Sequence, residues 1–281
     1  MNKQTLAREA DISGRGVHSG RPVNLRLKPS TAGTLVFRRT DLDGLEIRLD
    51  PMAAGARHCT FVRTGDAAVQ TIEHLLAALR MSDIDSALVE LDAEEIPILD
   101  GSAAPFLKAV SAAGVSSLPA KRRTLKVLKP FRFQDNDKAA YVSLEPGPDF
   151  RVSYGIEFAH PLIGRQELSL ALTRDSFASA VAPARTFGFL KDVDKLHSLG
   201  LALGASFENT VVLDDERVLN PPLRFPDEFV RHKILDIVGD LAVAGAPILG
   251  HVRAEKAGHA LHLRALQALL QTPDHWVWVD G

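Results

Sequence analysis

Three residues in the segment EFVRHKILDIVGDLAVAG, residues 228 to 245, could do chemistry together. His232, Asp236 and Asp240 recur every fourth residue. In an α-helix this spacing puts them in one line, with about 6 Å between successive β-carbons. Two such side chains can bind one metal ion, and a third protein ligand must then come from elsewhere. A polar line is also typical of the solvated face of an amphipathic helix.

A candidate third ligand lies in QTIEHLLAAL, residues 70 to 79. Its apolar residues recur at helical spacing and predict a helix, with Thr71 as its N-cap. The buried stripe of this helix is Ile72, Leu75, Leu76 and Leu79. His74 points away from that stripe. Adjacent helical residues do not face each other, so Glu73 is poorly placed to share a metal with His74, although it could reach a water on that metal.

His74, His232 and Asp236 together offer two imidazoles and one carboxylate. This is the three-ligand set of a catalytic zinc site, in which the fourth position is left for water. Zinc would lower the pKa of that water and polarise a carbonyl, and Glu73 would be the general base. The same ligands suit the iron(II) of an oxygenase, but no segment suggests a site for an oxo-acid cosubstrate.

A further histidine, His259, directly follows a glycine at a predicted helix start in AEKAGHALHLRAL, residues 254 to 266. A histidine in that position could act as a general acid. It could equally be a half-buried core residue, and its spacing alone favours this second interpretation.

The composition limits the class of protein. The chain has 281 residues, 46% of them hydrophobic, which suits one large or two ordinary globular domains. Its net charge of −2 gives no reason to expect a nucleic-acid partner. The single cysteine excludes an intramolecular disulfide, and we find neither the apolar core of a signal peptide nor an apolar run of membrane-spanning length. We therefore expect a cytoplasmic protein with no integral membrane segment.

Residues 23–39 and 141–158 resemble each other when Pro29 is aligned with Pro146. Each consists of two alternating apolar stretches around a turn, which predicts a β-hairpin, and each is followed later by a strand, a loop and a helix. We interpret this as an internal duplication. It predicts an α+β fold of two domains of like topology, residues 1–120 and 121–281, each a sheet with helices on one face.

The segment 184–207 has no counterpart in the first half. Its leucines, Leu196, Leu199, Leu201 and Leu203, need a companion surface. The segment could pack on the second domain, or it could line a groove.

Several long motifs, in order along the chain, resemble a known enzyme family. They are GRGVHSG (14–20), TIEHLLAAL (71–79), EIPILDGSAAPF (95–106), ARTFGF (184–189), RVLNPPLRFPDEFVRHKILDIVGDL (217–241) and GHAL (258–261). The chain is similar to the zinc-dependent UDP-3-O-acyl-N-acetylglucosamine deacetylases, which catalyse the committed step of lipid A biosynthesis in Gram-negative bacteria. The resemblance implies two α+β domains with the active site between them, and a monomeric metal-dependent amide hydrolase acting on an acylated UDP-sugar.

The resemblance also implies roles for single residues. It supports one zinc ion on His74, His232 and Asp236, and it implies that Glu73 deprotonates the water on that ion. His259 would stabilise the oxyanion and protonate the leaving amine. The hydroxyl of Thr186 would help to bind the oxyanion, and Asp240 would orient His259 and keep it charged.

The resemblance further implies a substrate site. Lys233 would contact the sugar-nucleotide, the uracil would stack at Phe158 beside Glu157, and His18 would lie near the diphosphate. Phe187 also belongs to this predicted set. The segment 184–207 would form the passage for the acyl chain.

The chain departs from the family in two places. His262 and Leu263 stand where the family usually has two asparagines, and a charged, solvated His262 would depress the pKa of His259. His58 precedes Cys59 where the family often has an apolar residue. Either side chain, as a fourth ligand, would close the metal site and make it structural. A catalytically silent nucleotide-sugar-binding protein of the same fold is the alternative function, although every expected catalytic side chain is present.

Overall fold

The computed structural model describes residues 1–137 and 139–280. Its strands are β1 (Asn2–Leu6), β2 (Ala10–Arg15), β3 (Pro22–Lys28), β4 (Leu35–Arg39), β5 (Leu45–Arg48), β6 (Gly55–Ala56), β7 (Thr60–Thr64), β8 (Ala67–Gln70), β9 (Ala87–Leu91), β10 (Val115–Lys121), β11 (Arg123–Val127), β12 (Phe131–Asp135), β13 (Ala140–Glu145), β14 (Phe150–Phe158), β15 (Gly164–Ala171), β16 (Phe187–Phe189), β17 (Val211–Leu213), β18 (Ile248–Glu255) and β19 (Trp276–Asp280). Its α-helices are α1 (Glu73–Met81), α2 (Ala104–Ala113), α3 (Arg174–Ala180), α4 (Val193–Ser198), α5 (Glu228–Ala242) and α6 (His259–Leu270). The predicted α+β class is confirmed.

The two main sheets share one strand order. In the first half the order is β2-β3-β9-β4-β5, with β4 and β9 parallel and the other neighbours antiparallel. In the second half β12-β13-β18-β14-β15 repeats this order, with β14 and β18 as the parallel pair. The equal topology supports the duplication, which together with the boundary near residue 120 stays a prediction.

The predicted hairpins are wrong, although their strands exist. The returning strand β9 lies between β3 and β4, and β18 lies between β13 and β14. Alternation along a segment shows which face of a strand is buried but does not identify its neighbour, so a strand from far along the chain can enter between two consecutive ones.

Helices α1 and α5 pack on each other and join the two halves of the chain. All residues of α1 are buried, including Glu73, His74 and Arg80. The close approach requires Gly239 on α5, because a β-carbon there would overlap the backbone carbonyl of Glu73. His232, Asp236 and Asp240 on α5 are buried rather than exposed to water. The interpretation of this polar line as a solvated helix face is therefore wrong.

The predicted N-cap of α1 is also wrong. The helix begins at Glu73, and Thr71 lies two residues before it with a positive φ of 57°. The Thr71 hydroxyl donates to Glu95 Oε1 at 3.1 Å and so does not cap the helix. Within the described residues, none of the helices combines the length and the apolar character needed to cross a membrane.

Candidate metal centre and active site

His74 on α1 and His232 and Asp236 on α5 converge where the two helices cross. Their candidate ligand atoms all lie within 4.8 Å of one another. Asp236 Oδ1 is 3.3 Å from His232 Nε2 and 3.7 Å from His74 Nε2. All three side chains are buried. The fold therefore brings the predicted ligands together, although His74 lies about 160 positions before His232 and Asp236 in the chain.

The surroundings of these residues suit a divalent cation. His232 Nδ1 lies 3.1 Å from the carbonyl oxygen of Ala184 and can donate its proton there, which leaves the Nε2 lone pair facing Asp236. A metal-bound histidine commonly has this arrangement. Burial lowers the pKa of His232 to about 4, so its imidazole is neutral, the state that binds metals. These donors fit zinc, and a two-histidine, one-carboxylate set also fits iron(II).

Asp236 is held as a carboxylate. Burial alone would raise its pKa, but His232 and Lys233 outweigh burial and hold the pKa well below its ordinary range. Lys233 Nζ donates to Oδ2 at 2.7 Å, so Oδ1 remains directed at the two imidazoles. Lys233 therefore has a structural contact with a candidate ligand in addition to its predicted contact with the substrate.

Glu73 lies beside this set and is not one of its members. Its Oε2 accepts a hydrogen bond from the backbone N–H of Thr60 at 3.0 Å, while Oε1 lies 3.9 Å from His259 Nε2. Burial raises the pKa of Glu73, although His259 and His74 oppose this rise. One carboxylate oxygen is thus anchored and the other faces the site, as a general base requires.

His259 is the first residue of α6 and points into the same site. Its Nδ1 lies 2.8 Å from Asp240 Oδ2, and its Nε2 lies 3.9 Å from both Glu73 Oε1 and Asp236 Oδ2. Burial by itself would lower the pKa of His259, but the carboxylates of Asp240, Asp236 and Glu73 prevail and raise it to about 10. The structure therefore places the His259 imidazole, whose pKa is raised, opposite Glu73 and not in the apolar core.

Asp240 connects several side chains. The Thr60 hydroxyl donates to its Oδ1 at 2.6 Å, and Oδ2 lies within hydrogen-bond distance of Nδ1 of both His259 and His262. Asp240, His259 and His262 form a second group of residues whose ligand atoms lie close together. Because both imidazoles contact the same oxygen, Asp240 Oδ2, we interpret this second group as a hydrogen-bonded cluster.

The expectation of a solvated His262 is wrong. Its side chain is fully buried, with Nδ1 2.6 Å from Asp240 and Nε2 2.9 Å from the Tyr154 hydroxyl. Burial lowers the pKa of His262, so it influences His259 through their shared carboxylate rather than as a second cation. Sequence reasoning missed Thr60 and Tyr154. The sequence did contain a signal for Tyr154. When the two halves are aligned, Tyr154 has a hydroxyl at the position where the first half has Phe37.

The aromatic residues of the predicted substrate set lie next to the metal centre. The Phe187 ring centroid is 5.6 Å from that of Phe158 and 6.3 Å from that of His232. Lys233 Nζ lies 5.7 Å from the Phe187 centroid. The structure therefore gathers Lys233, Phe158 and Phe187 on one side of the centre.

The remaining predicted residues are more dispersed. Thr186 is fixed beside this group by backbone hydrogen bonds to Gly101 and Val211 at 2.8 Å each. Glu157 is half-exposed and forms an ion pair with Lys256. His18 donates its backbone N–H to Glu95 at 2.8 Å, and its ring lies 6.3 Å from that of His58.

The segment 184–207 lines a groove, one of its two predicted placements. Leu199 and Leu201 form part of the wall of a cavity of about 500 Å³, together with His18, His58 and Phe61. Several side chains of this region are exposed, namely Leu190, Leu199, Leu203 and Phe207.

Cys59 and His58 do not join the candidate metal ligands. Neither belongs to the groups of converging ligand atoms among the described residues. Burial raises the pKa of the Cys59 thiol to about 12, which disfavours the thiolate that a metal would need. The geometry therefore leaves three candidate ligands, the number that a catalytic zinc site has.

Comparison with known proteins gives a consistent result over nearly the whole chain. The model of a family described as UDP-3-O-acyl N-acetylglycosamine deacetylase matches residues 3–271. A UDP-3-O-acyl-N-acetylglucosamine deacetylase from a Geobacter species is 46% identical over 99% of this chain and 92% of its own length. Proteins of the same name from Acidithiobacillus ferrooxidans and Myxococcus xanthus are each 44% identical, over 100% and 97% of this chain and 93% and 87% of their own lengths. The chain therefore belongs to the UDP-3-O-acyl N-acetylglycosamine deacetylase family.

Proposed function

We propose that this protein is a metal-dependent hydrolase that removes acetate from UDP-3-O-acyl-N-acetylglucosamine and releases the free amine, in the pathway to lipid A. The observation that carries the proposal is the convergence of three buried side chains that could hold a metal ion with an anchored carboxylate and an imidazole of raised pKa. The names of the relatives support the substrate. We further propose that the enzyme works as a monomer in the cytoplasm.

In this proposal His74, His232 and Asp236 hold the metal ion. When bound there, a zinc ion would supply a Lewis acid that polarises the acetamide carbonyl and lowers the pKa of a water. The ligands themselves must remain neutral imidazoles and an ionised carboxylate, which are the states that burial of His232 and the contacts of Asp236 favour.

Glu73 and His259 make the proton transfers of the reaction. Glu73 accepts a proton from the attacking water as the water oxygen bonds to the carbonyl carbon. His259 stabilises the negative charge on the former carbonyl oxygen, and then donates a proton to the amine nitrogen as the carbon–nitrogen bond breaks. The 3.9 Å between Oε1 and Nε2 lets both groups face one reacting amide. Asp240 fixes the orientation of the imidazole and favours its charged form.

The other predicted residues bind the substrate. The Thr186 hydroxyl adds a hydrogen bond to the oxyanion, and Lys233 contacts the sugar-nucleotide. Phe158 offers a face to the uracil, with Phe187 and Glu157 beside it. His18 lies towards the diphosphate. The acyl chain follows the groove lined by segment 184–207.

A direct assay tests the activity. We expect the purified protein to release acetate from UDP-3-O-acyl-N-acetylglucosamine, to lose this activity in a chelator, and to regain it with zinc or iron(II). Binding of the substrate without release of acetate under any metal would instead support the silent binding protein.

A plot of kcat/KM against pH should be bell-shaped. Activity rises with pH as Glu73 loses its proton, at a pKa that burial raises, and it falls as His259 loses its proton, at a pKa of about 10. Because the Asp240 carboxylate favours the imidazolium, Asp240→Asn should move the basic limb of kcat/KM to lower pH. The profiles of the wild type and of Asp149→Asn, a change on the surface, serve as references. An unshifted basic limb in Asp240→Asn would contradict the assigned pair.

A des-acyl substrate should react much less efficiently. Each buried methylene contributes about 0.8 kcal/mol, so four of them are worth about 3 kcal/mol, or roughly a hundredfold in kcat/KM. Leu199→Ser should lower kcat/KM for the acylated substrate and leave the des-acyl substrate unaffected. Leu162→Ser is the control, because Leu162 is also an exposed leucine, at 47% against 60% for Leu199, and lies outside this segment. Equal kcat/KM for both substrates in the wild type would remove segment 184–207 from substrate binding.

A further inference from the structure

A second cavity lies at the far ends of the two central helices. It has a volume of about 250 Å³ and lies against the last turns of α1 and α5, the start of β14 and the start of β18. Its lining includes none of the candidate catalytic, metal-binding or substrate-binding residues. Most of the wall is apolar, formed by Phe150, Leu172, Val238, Leu241, Ala242 and Ile248.

The buried polar residue among those that line this cavity is Arg80, which is 9% exposed. Its Nη1 donates to Asp85 Oδ1 at 3.1 Å, while its buried Nε has no hydrogen-bond partner among the described residues. Asp85 is shared with Arg122, which reaches its Oδ2 at 2.7 Å. Burial lowers the pKa of Arg80, although Asp85 opposes this. Arg80 is therefore a buried cation with only part of one carboxylate to compensate it, a state that an added anion would stabilise.

The rim of the cavity adds positive charge. Arg174 is exposed there and makes no ion pair within residues 1–137 and 139–280. Asp83 also lies on the rim, but Arg122 Nη1 holds its carboxylate at 2.6 Å. The charged residues around the cavity therefore favour binding of an anionic group, and the apolar walls favour binding of a hydrocarbon group.

We propose that this cavity binds a small aliphatic carboxylate. The carboxylate lies against Arg80, with Arg174 at the entrance, and the tail lies against Phe150, Leu172 and Val238. An apolar cavity of about 150 Å³ holds a molecule the size of benzene, so this larger one has room for an acid of about six carbons. The inference is independent of the deacetylase proposal, because it concerns binding alone.

Hexanoate is the probe, added to the metal-loaded full chain and followed by calorimetry. We expect binding that weakens at least tenfold for hexanamide, which keeps the tail but lacks the charge, and for inorganic phosphate, which lacks the tail. Equal affinity for hexanamide or for phosphate would overturn the proposed chemistry.

Two variants locate the bound acid. Arg80→Met removes the cation, and Ala246→Leu fills space from a lining residue without changing any charge. Both should weaken hexanoate binding at least tenfold, whereas Arg253→Met, on a surface strand, should not. If Arg80→Met does not fold, Ala246→Leu decides. Unchanged affinity in Ala246→Leu would mean that hexanoate binds elsewhere, for instance at the metal, and would overturn the proposal.

Discussion

Replacing Glu73 by glutamine is expected to lower kcat by roughly two to four orders of magnitude while the protein keeps its metal. The amide oxygen of glutamine can still accept the hydrogen bond from the Thr60 backbone, so the local structure should survive. What is lost is a group that can take a proton from the attacking water. Single-turnover rates and the metal content of the same preparation measure the two effects separately.

Glu94→Gln provides the control, because Glu94 is a nearby exposed carboxylate outside the site. It should keep both activity and metal. A Glu73→Gln protein without metal would show that Glu73 is a ligand, and wild-type kcat in the metal-loaded variant would show that the base lies elsewhere.

The second large effect concerns metal affinity, for which α5 offers a matched pair. Asp236→Asn and Asp240→Asn change the same type of residue one helical turn apart, and both carboxylates are buried. Only Asp236 belongs to the set with His74 and His232. Loss of a residue that merely supports a ligand costs 10–100-fold in metal affinity, and removing a ligand should cost more.

We therefore expect Asp236→Asn to lose its metal and its activity after dialysis against a weak chelator, and Asp240→Asn to retain most of its metal. Circular dichroism must show that both variants are folded, because Asp236→Asn also leaves Lys233 with a weaker partner. Retention of metal by a folded Asp236→Asn protein would refute the ligand assignment.

Helical spacing was sufficient to predict α1, α5 and the candidate ligands that lie on them. The period of 3.6 residues identifies the buried stripe, and His74, His232 and Asp236 fall off that stripe in both segments. The strand pairing could not be predicted in the same way, since β9 and β18 reach their neighbours from far along the chain.

The residues around Asp240 show the same limit. Thr60 and Asp240 are 180 positions apart and meet because the first residue of β7 reaches the last turn of α5. The sequence around His262 predicts a surface residue, because nothing in its neighbours along the chain indicates that Tyr154 contacts it. Local patterns predicted candidate residues that the structure brings together, while the contacts that affect their protonation depend on tertiary packing.

Gly239 has a consequence for protein engineering. A glycine inside a helix costs up to about 1 kcal/mol relative to alanine, so a search for stabilising substitutions would select Gly239→Ala early. Here the added methyl group has no free space, because it would meet the backbone of Glu73. It would separate α1 from α5 and so shift Glu73 and His74 relative to His232 and Asp236. Thermostabilisation of this enzyme should therefore leave the helix crossing unchanged and work on the outer faces of the two sheets.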